Sequence, residues 1–192
     1  GKLIINGGTF NAESSAYAII SDGQSIEINN AVVNATRGAI AVGGGNTFHL
    51  VYELYRNGIM SLISQRVMDG VAYMGWSAGS NVAGLSLKTT NDMPIIEPAS
   101  FDCMKLVPFQ INPHYTDFFD PKHGGETRDD RLNEFTKVNP DIKIAAIREA
   151  TALRLKEGKL SLIGRNNKMK VFHGANEPKE YDLNADINFL MQ

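Results

Sequence analysis

The sequence predicts an α/β fold in which a mostly parallel central sheet is flanked by helices. Short, largely apolar runs rich in Val, Ile and Ala recur along the chain, which is typical of strands buried on both faces. Segments with helical spacing or helix-capping residues separate these runs and suit crossover helices. The apolar runs are residues 3–5, 39–42, 71–74, 106–111 and 142–147.

Three segments between the predicted strands carry helix signals. Residues 47–55 repeat apolar side chains at helical spacing, and residues 126–135 begin with an acidic, capping-type turn. A third, helix-like run occupies residues 78–87. The first 38 residues are less clearly patterned and have room for two strands and one short helix.

The pattern changes after Glu149, where short strands are separated by turn residues. Hairpin turns are expected at Glu157-Gly158 and Asn166-Asn167, because Gly and Asn favour tight turns. We expect the strands to form an antiparallel extension at the sheet edge. They are residues 152–155, 160–163 and 169–172.

Composition limits the classes of function. The chain has 192 residues, 43% hydrophobic and 21% charged, so we expect one domain over residues 1–192. The net charge of −2 gives no reason to expect nucleic acid or an anionic membrane as a partner. Cys103, the single cysteine, is expected to pack against other side chains rather than to do chemistry. No apolar run approaches the ~18 residues of a membrane helix, which favours a cytoplasmic location. No Cys, His and carboxylate cluster has metal-ligand spacing, so we expect no metal or organic cofactor.

The stretch Gly75-Trp76-Ser77-Ala78-Gly79 lies between a predicted strand and a helix-like run. In that context, a G-x-S-x-G pattern indicates a nucleophile elbow, in which small neighbours let the backbone turn sharply at the serine. The bare pattern can arise by chance in a chain with 18 glycines, so other residues must show whether it is functional. A hydrolase with Ser77 as nucleophile is the first hypothesis.

A serine nucleophile needs a general base and an acid that orients it. His114 closely follows a predicted strand, where open α/β sheets bind ligands, whereas the other histidines are expected to be structural or solvated. Three acids are candidates, namely Asp92, Asp102 and Glu149. Glu149 has the better position, because it follows the strand at residues 142–147, and the choice stays open. The other histidines are His49, His123 and His173.

A glycine loop, Gly43-Gly44-Gly45-Asn46, connects the predicted strand at residues 39–42 to the helix at residues 47–55. It is neither G-x-G-x-x-G nor followed by Gly-Lys-Ser/Thr, so nucleotide binding is a poor interpretation. Backbone N–H groups in such a loop can instead bind an oxyanion. We expect the loop to supply one oxyanion donor and the Ala78 N–H the other.

Five blocks of sequence follow one another along the chain. They are Gly43-Gly44-Gly45-Asn46-Thr47-Phe48, Gly75-Trp76-Ser77-Ala78-Gly79-Ser80-Asn81, Thr89-Thr90-Asn91-Asp92-Met93-Pro94-Ile95, Gln110-Ile111-Asn112-Pro113-His114 and Gly125-Glu126-Thr127-Arg128. Together these blocks resemble the peptidase E family of cytoplasmic aspartyl dipeptidases. The resemblance covers about residues 39–175 and implies a fold similar to class I glutamine amidotransferases, with serine where those enzymes have a cysteine nucleophile.

The resemblance implies roles for individual residues. It makes Ser77 the nucleophile, His114 the general base and Glu149 the orienting acid. It places the oxyanion hole at the N–H groups of Gly45 and Ala78. This order of triad residues argues against an ordinary lipase or esterase.

The resemblance also implies the substrate class, which is small peptides that begin with aspartate. A guanidinium can bind the aspartate carboxylate bidentately, and Arg128 is the candidate, with Arg131 as its rival. Asp92 lies in a family motif and is expected to support substrate binding. The sequence predicts no oligomeric state.

The chain departs from the family in having a shorter segment before the glycine loop. Either its N-terminal part is shorter than usual, or segments of it are absent from this sequence. Two alternatives to an aspartyl dipeptidase stay open. One is a cyanophycinase-like hydrolase of β-linked aspartyl peptides, and the other is a catalytically silent homologue that binds aspartyl peptides.

Overall fold

The computed structural model describes the backbone of residues 3–19 and 26–38 and the complete residues 39–119, 121–122, 124–165 and 167–192. The chain divides into two compact units, Gly1–Leu106 and Val107–Gln192. The expectation of one domain over residues 1–192 stays a prediction. No helix within the described ranges is long and apolar enough to cross a membrane.

The first unit contains a three-stranded parallel sheet. Strands β1 (Leu3–Ile19), β2 (Ile26–Val42) and β3 (Ala72–Gly75) lie in the order β1-β2-β3. The end of β2 pairs with β3 from Ala39 opposite Ala72 to Val42 opposite Gly75, which confirms the predicted strands at residues 39–42 and 71–74. Strand β1 is longer than the predicted residues 3–5, and the described part of the first 38 residues contains two strands and no helix.

Two helices follow the glycine loop. Helix α1 (Thr47–Arg56) confirms the prediction and buries Val51 and Leu54, one helical turn apart, in the core of the unit. Helix α2 (Met60–Met68) was not predicted, although Met60 and Ile63 lie at helical spacing and pack in the same core.

Helix α3 (Ala78–Asn81) is shorter than the predicted run at residues 78–87. Beyond its last residue, the N–H groups of Ala83 and Gly84 donate to carbonyls three residues back rather than four. The carbonyls of residues 82–85 then accept the N–H groups of residues 103–106, at 2.9–3.0 Å, so they cannot continue a helix. A single 3₁₀ turn, Leu87–Thr89, follows.

The second unit contains a four-stranded mixed sheet. Its strands are β4 (Gln110–Asn112), β5 (Lys143–Ala146), β8 (Met169–His173) and β9 (Lys179–Tyr181), and they lie in the order β4-β5-β8-β9. Strands β4 and β5 are parallel, whereas β8 and β9 are antiparallel to their neighbours, which confirms antiparallel strands in the C-terminal part. Strand β4 is shorter than the predicted residues 106–111, and β9 was not predicted.

Strands β6 (Thr151–Lys156) and β7 (Lys159–Gly164) pair as a separate two-stranded hairpin rather than extending the larger sheet. Their predicted turn at Glu157-Gly158 is confirmed, and both residues have positive φ angles of 51° and 75°, as a tight hairpin turn requires. The other predicted turn includes Asn166, which lies outside the described residues.

Helix α4 (Arg128–Val138) begins at a capping box, in which the Thr127 side chain accepts the Asp130 N–H and the Asp130 side chain accepts the Thr127 N–H. This confirms the helix predicted at residues 126–135. The helix buries Leu132 against Ile144 and Phe172 of the sheet, and a 3₁₀ turn at Asn188–Met191 ends the chain.

Candidate active site

Ser77 lies at a sharp turn between β3 and α3. Its φ and ψ angles are 55° and −121°, a conformation that costs a non-glycine residue energy and that is typical of functional sites. Backbone bonds hold the turn, with the Gly79 N–H donating to the Trp76 carbonyl at 3.0 Å and the Asn81 N–H to the Ser77 carbonyl at 3.1 Å. The geometry is that of a nucleophile elbow.

Close backbone contacts explain the glycines of the elbow. A Cβ atom at Gly75 would lie 2.4 Å from the Gly79 carbonyl oxygen, and one at Gly79 would lie 2.0 Å from the Val42 oxygen. A Cβ at Gly44 would lie 2.9 Å from Cβ of Ser77 and 3.2 Å from its Oγ. The sequence alone does not reveal the need for glycine at residue 44, because it arises from a contact between two separate turns.

The glycine loop is bonded to the elbow through its backbone. The Trp76 N–H donates to the Val42 carbonyl at 3.2 Å, and the Gly79 N–H donates to the Gly43 carbonyl at 3.1 Å. Gly45 has a φ angle of 123° and is exposed, whereas Ala78 is buried. The oxyanion roles of Gly45 and Ala78 stay predictions.

Asp92 anchors the first turn of α1. Its Oδ2 atom accepts the Thr47 N–H at 2.7 Å, the Thr47 hydroxyl at 2.6 Å and the Thr90 hydroxyl at 3.2 Å. The Asn46 side chain caps the same helix by accepting the His49 N–H, and it donates to the Met93 carbonyl at 2.8 Å. The Asp92 carboxylate is therefore committed to the helix that follows the glycine loop.

His114 and Glu149 are in contact, with Nδ1 of His114 against Oε1 of Glu149. An acid at Nδ1 holds the imidazole in the tautomer whose Nε2 can accept a proton. The side chains of His114 and Glu149 are 52% and 76% exposed, so both are accessible to a substrate.

The topology of the second unit explains why these two residues meet. His114 and Glu149 lie just beyond the carboxyl ends of the parallel neighbours β4 and β5, where side chains from adjacent strands converge. The backbones remain bonded there, because the Ile147 N–H donates to Asn112 and the Tyr115 N–H donates to Ile147. His114 has a φ angle of 53°, an uncommon conformation for a side chain of this size.

Asp102, the third candidate acid, has another partner, and Cys103 packs as expected. Asp102 forms an ion pair with Lys105 at 3.0 Å, and Cys103 is buried in the core of the first unit. Burial, followed by the charge of Asp102, raises the pKa of the Cys103 thiol to about 12, so the thiol stays protonated.

His49 and His173 have ordinary surroundings, and the described residues offer no metal site. His49 lies 3.7 Å from Glu53, one turn along α1, while the His173 carbonyl accepts the Asn176 side chain. His123 lies outside the described residues. No group of three or more His, Cys, Asp or Glu side chains in the described ranges could hold a metal ion.

Arg128, at the start of α4, carries an orphaned donor. Its Nη1 atom is buried and has no hydrogen-bond partner among the described residues. Burial and then the charge of Arg131 lower the pKa of its guanidinium, while Tyr115 acts in the opposite direction. A buried guanidinium N–H without an acceptor is costly, and a bound anion would supply the missing acceptor.

Arg131 has different surroundings. It is exposed, and its Nε atom pairs with Glu126 at 3.5 Å. Such surface pairs contribute little to stability, and within the described part of the chain Arg131 has no buried donor that lacks a partner. The geometry favours Arg128 over Arg131 as an anion-binding residue.

A polar network that the sequence analysis missed lies beside His114, Glu149 and Arg128. We call it the Tyr115 network. No local motif could have revealed it, because its members come from segments far apart in sequence. They are Tyr115, Asp117, Asp129, Arg148, Lys170 and Glu180.

The structure therefore groups the predicted site residues within each unit. Ser77, Gly45, Ala78 and Asp92 belong to the first unit, around the elbow and the glycine loop. His114, Glu149 and Arg128 belong to the second unit, at the ends of β4, β5 and the start of α4.

Comparison with known proteins confirms the predicted resemblance. The profile of Peptidase family S51 matches residues 16–163. Peptidase E of Shewanella sp. (strain W3-18-1) is 50% identical over 153 residues, which are 80% of this chain and 64% of the relative. Peptidase E of Nostoc sp. (strain PCC 7120) is 47% identical over 154 residues, which are 80% of this chain and 63% of the relative. The chain thus spans less than two thirds of the length of the curated relatives it matches.

The α/β fold is also confirmed by a solved structure. A crystal structure from Listeria monocytogenes EGD-e, of a protein provisionally assigned as Peptidase E, matches with a TM-score of 0.53. The match covers 84% of this chain and 87% of the other, and the sequences are 20% identical. At that identity the likeness concerns the fold alone.

Proposed function

This chain belongs to peptidase family S51, and we propose that it acts as a serine exopeptidase that releases aspartate from the N-terminus of small peptides. The observation that supports the aspartate preference is the buried Arg128 Nη1 atom, which has no hydrogen-bond partner among the described residues. The side-chain carboxylate of an N-terminal aspartate would supply the missing acceptor and neutralise the cation.

In the proposed mechanism, Ser77 Oγ attacks the carbonyl carbon of the aspartyl residue while His114 Nε2 takes its proton. Glu149 keeps the proton on His114 Nδ1 and stabilises the imidazolium that forms. The negative charge on the carbonyl oxygen rests on the N–H groups of Gly45 and Ala78, and one such donor is typically worth about 10²–10³ in rate.

Collapse of the tetrahedral intermediate breaks the peptide bond. The leaving amine takes the proton from His114, and an aspartyl ester of Ser77 remains. Water then attacks this ester, gives one proton to His114 and releases aspartate, after which the proton returns to Ser77 Oγ.

Asp92 is assigned a supporting role in this proposal. Its three hydrogen bonds hold the start of α1, directly after the glycine loop that would bind the oxyanion. We propose the cytoplasm as the setting, which the single cysteine of the chain supports, because no disulfide can form within it.

The test is release of leucine from Asp-Leu, with Ala-Leu, β-linked Asp-Arg and the Ser77→Ala variant measured beside it. The proposal predicts turnover of Asp-Leu that Ser77→Ala abolishes. Turnover of β-linked Asp-Arg instead would favour a cyanophycinase-like activity. Binding of Asp-Leu without turnover, by a folded sample, would favour a catalytically silent homologue.

A further inference from the structure

The Tyr115 network is a dense and partly buried set of ionic contacts in the second unit. Tyr115 is 3% exposed, and the side chains of Arg148 and Lys170 are each 17% exposed. The Tyr115 hydroxyl contacts the Asp129 carboxylate, lies 3.0 Å from Oδ1 of Asp117 and accepts the Lys170 ammonium at 3.1 Å. The Lys170 ammonium also donates to Asp129 Oδ2 at 2.5 Å.

Arg148 closes the other side of this network. Its Nη2 atom donates to Asp117 and to Glu180, each at 2.7 Å, and its guanidinium lies 4.9 Å from the centre of the Tyr115 ring. The Nη1 atom donates to the Lys168 carbonyl at 2.6 Å. Geometry of this kind restricts each side chain to one position more firmly than an exposed pair could.

Three members of the network are sequence neighbours of the residues proposed to act on the substrate. Tyr115 follows His114, Asp129 follows Arg128, and Arg148 precedes Glu149. Consecutive Cα atoms are about 3.8 Å apart, so a fixed network side chain also fixes the backbone of its neighbour. The Tyr115–Asp129 contact therefore joins the strand end that carries His114 to the helix start that carries Arg128.

This inference rests on the proposed function. We propose that Tyr115 and Asp129 are positioning residues that fix the separation between Arg128 and His114, and that this separation selects N-terminal aspartate over N-terminal glutamate. A glutamate side chain is one methylene longer. With its carboxylate on Arg128, its carbonyl carbon is displaced from the attacking position, and a misplacement of about 1 Å can cost about 10²-fold in rate.

The experiment compares hydrolysis of Asp-Leu and Glu-Leu by the wild type, Tyr115→Phe and Asp129→Asn. Tyr115→Phe keeps the ring against Arg148 and removes only the hydroxyl contacts. Its matched control is Tyr55→Phe, which removes a single hydroxyl bond to the Asp102 carbonyl in the first unit. Thermal unfolding shows which variants are folded. If Tyr115→Phe does not fold, the comparison of Asp129→Asn with the wild type tests the proposal.

The expected result is a fall of about tenfold or more in the ratio of kcat/KM for Asp-Leu to that for Glu-Leu, comparable to the effect of one methylene on binding in a pocket. The fall should lie mainly in kcat, because the position of the carbonyl carbon changes, and Tyr55→Phe should keep the wild-type ratio. An equal loss for both substrates, or no change, would overturn the proposal and leave the network a structural role.

Failure of the proposed function is recognised separately, because the wild type would then hydrolyse neither peptide. In that case, calorimetry measures how tightly the two peptides bind to the wild type and to the same variants, and this tests the positioning role. A preference for Asp-Leu that is lost in Tyr115→Phe would support the positioning role. Equal binding of both peptides, or no binding, would overturn it.

Discussion

Glu149 contacts Nδ1 of His114 across the ends of two neighbouring parallel strands, β4 and β5. The contact leaves Nε2 of His114 as the nitrogen that can accept a proton, which is what a general base requires. It also favours Glu149 over Asp92 as the orienting acid, because the Asp92 carboxylate is bonded to Thr47 and Thr90.

Glu149→Gln should lower kcat for Asp-Leu by about 10²–10⁴-fold, because an amide can orient the imidazole but cannot stabilise its charged form. Steady-state kinetics measure the loss of kcat. The melting temperature should be unchanged, since the Glu149 side chain is 76% exposed. A variant with wild-type kcat would remove Glu149 from the mechanism.

Asp92→Ala should act mainly on stability. The substitution leaves the Thr47 N–H and hydroxyl without their acceptor and should cost about 1–2 kcal/mol of unfolding free energy, as loss of a helix cap does. Chemical denaturation and kcat are measured together. If kcat instead falls as far as in Glu149→Gln while stability is unchanged, Asp92 is the orienting acid.

Gly44→Ala should abolish most activity, because its Cβ would lie 2.9 Å from Cβ of Ser77 and displace this proposed nucleophile. We expect kcat to fall by about 10²-fold, as for a misplacement of about 1 Å. Gly124→Ala is the matched control, since its Cβ would meet no atom within 4 Å. Equal activity of the two variants would show that the contact with Ser77 is unimportant.

Asp117 gives the protein a pH-dependent contribution to stability. Burial raises the pKa of Asp117, but hydrogen bonds from Arg148 and Tyr115 outweigh it, so the pKa is lowered from its ordinary value of 3.8. The contribution is therefore present above pH 3.8 and is lost as the pH falls through the lower pKa of the folded state.

Thermal unfolding between pH 7 and pH 2 measures this effect. The melting temperature of the wild type should fall more steeply at the acid end than that of Asp117→Asn, which has no carboxylate to protonate. Parallel curves for the two proteins would mean that Asp117 does not contribute to acid sensitivity.

The sharp turn at Ser77 and the contact between His114 and Glu149 could be predicted because their signals are local. Ser77 follows a strand and has small residues around it in the sequence. His114 and Glu149 each follow an apolar run, so they lie close together when the two strands pair in parallel. The antiparallel strands after Glu149 could be predicted because turn residues mark them.

Other features depend on contacts between distant segments and could not be predicted. Helix α3 ends early because residues 103–106 occupy the carbonyls that a longer helix would use. Sequence position left Arg128 and Arg131 equivalent. They differ in the fold, because the Nη1 atom of Arg128 is buried without a partner among the described residues, whereas Arg131 is exposed and paired with Glu126. The Tyr115 network likewise requires the folded chain, since Tyr115 and Lys170 are 55 residues apart.

The most direct test of the account compares Asp-Leu with Asn-Leu, which has nearly the same shape but lacks the carboxylate charge. The account predicts that the wild type prefers Asp-Leu and that Arg128→Met lowers this preference by about 10- to 100-fold, as expected for loss of a charge-assisted bond. Arg131→Met, in which the lost cation is exposed and paired with Glu126, should keep the preference. A preference that survives in Arg128→Met would contradict the account.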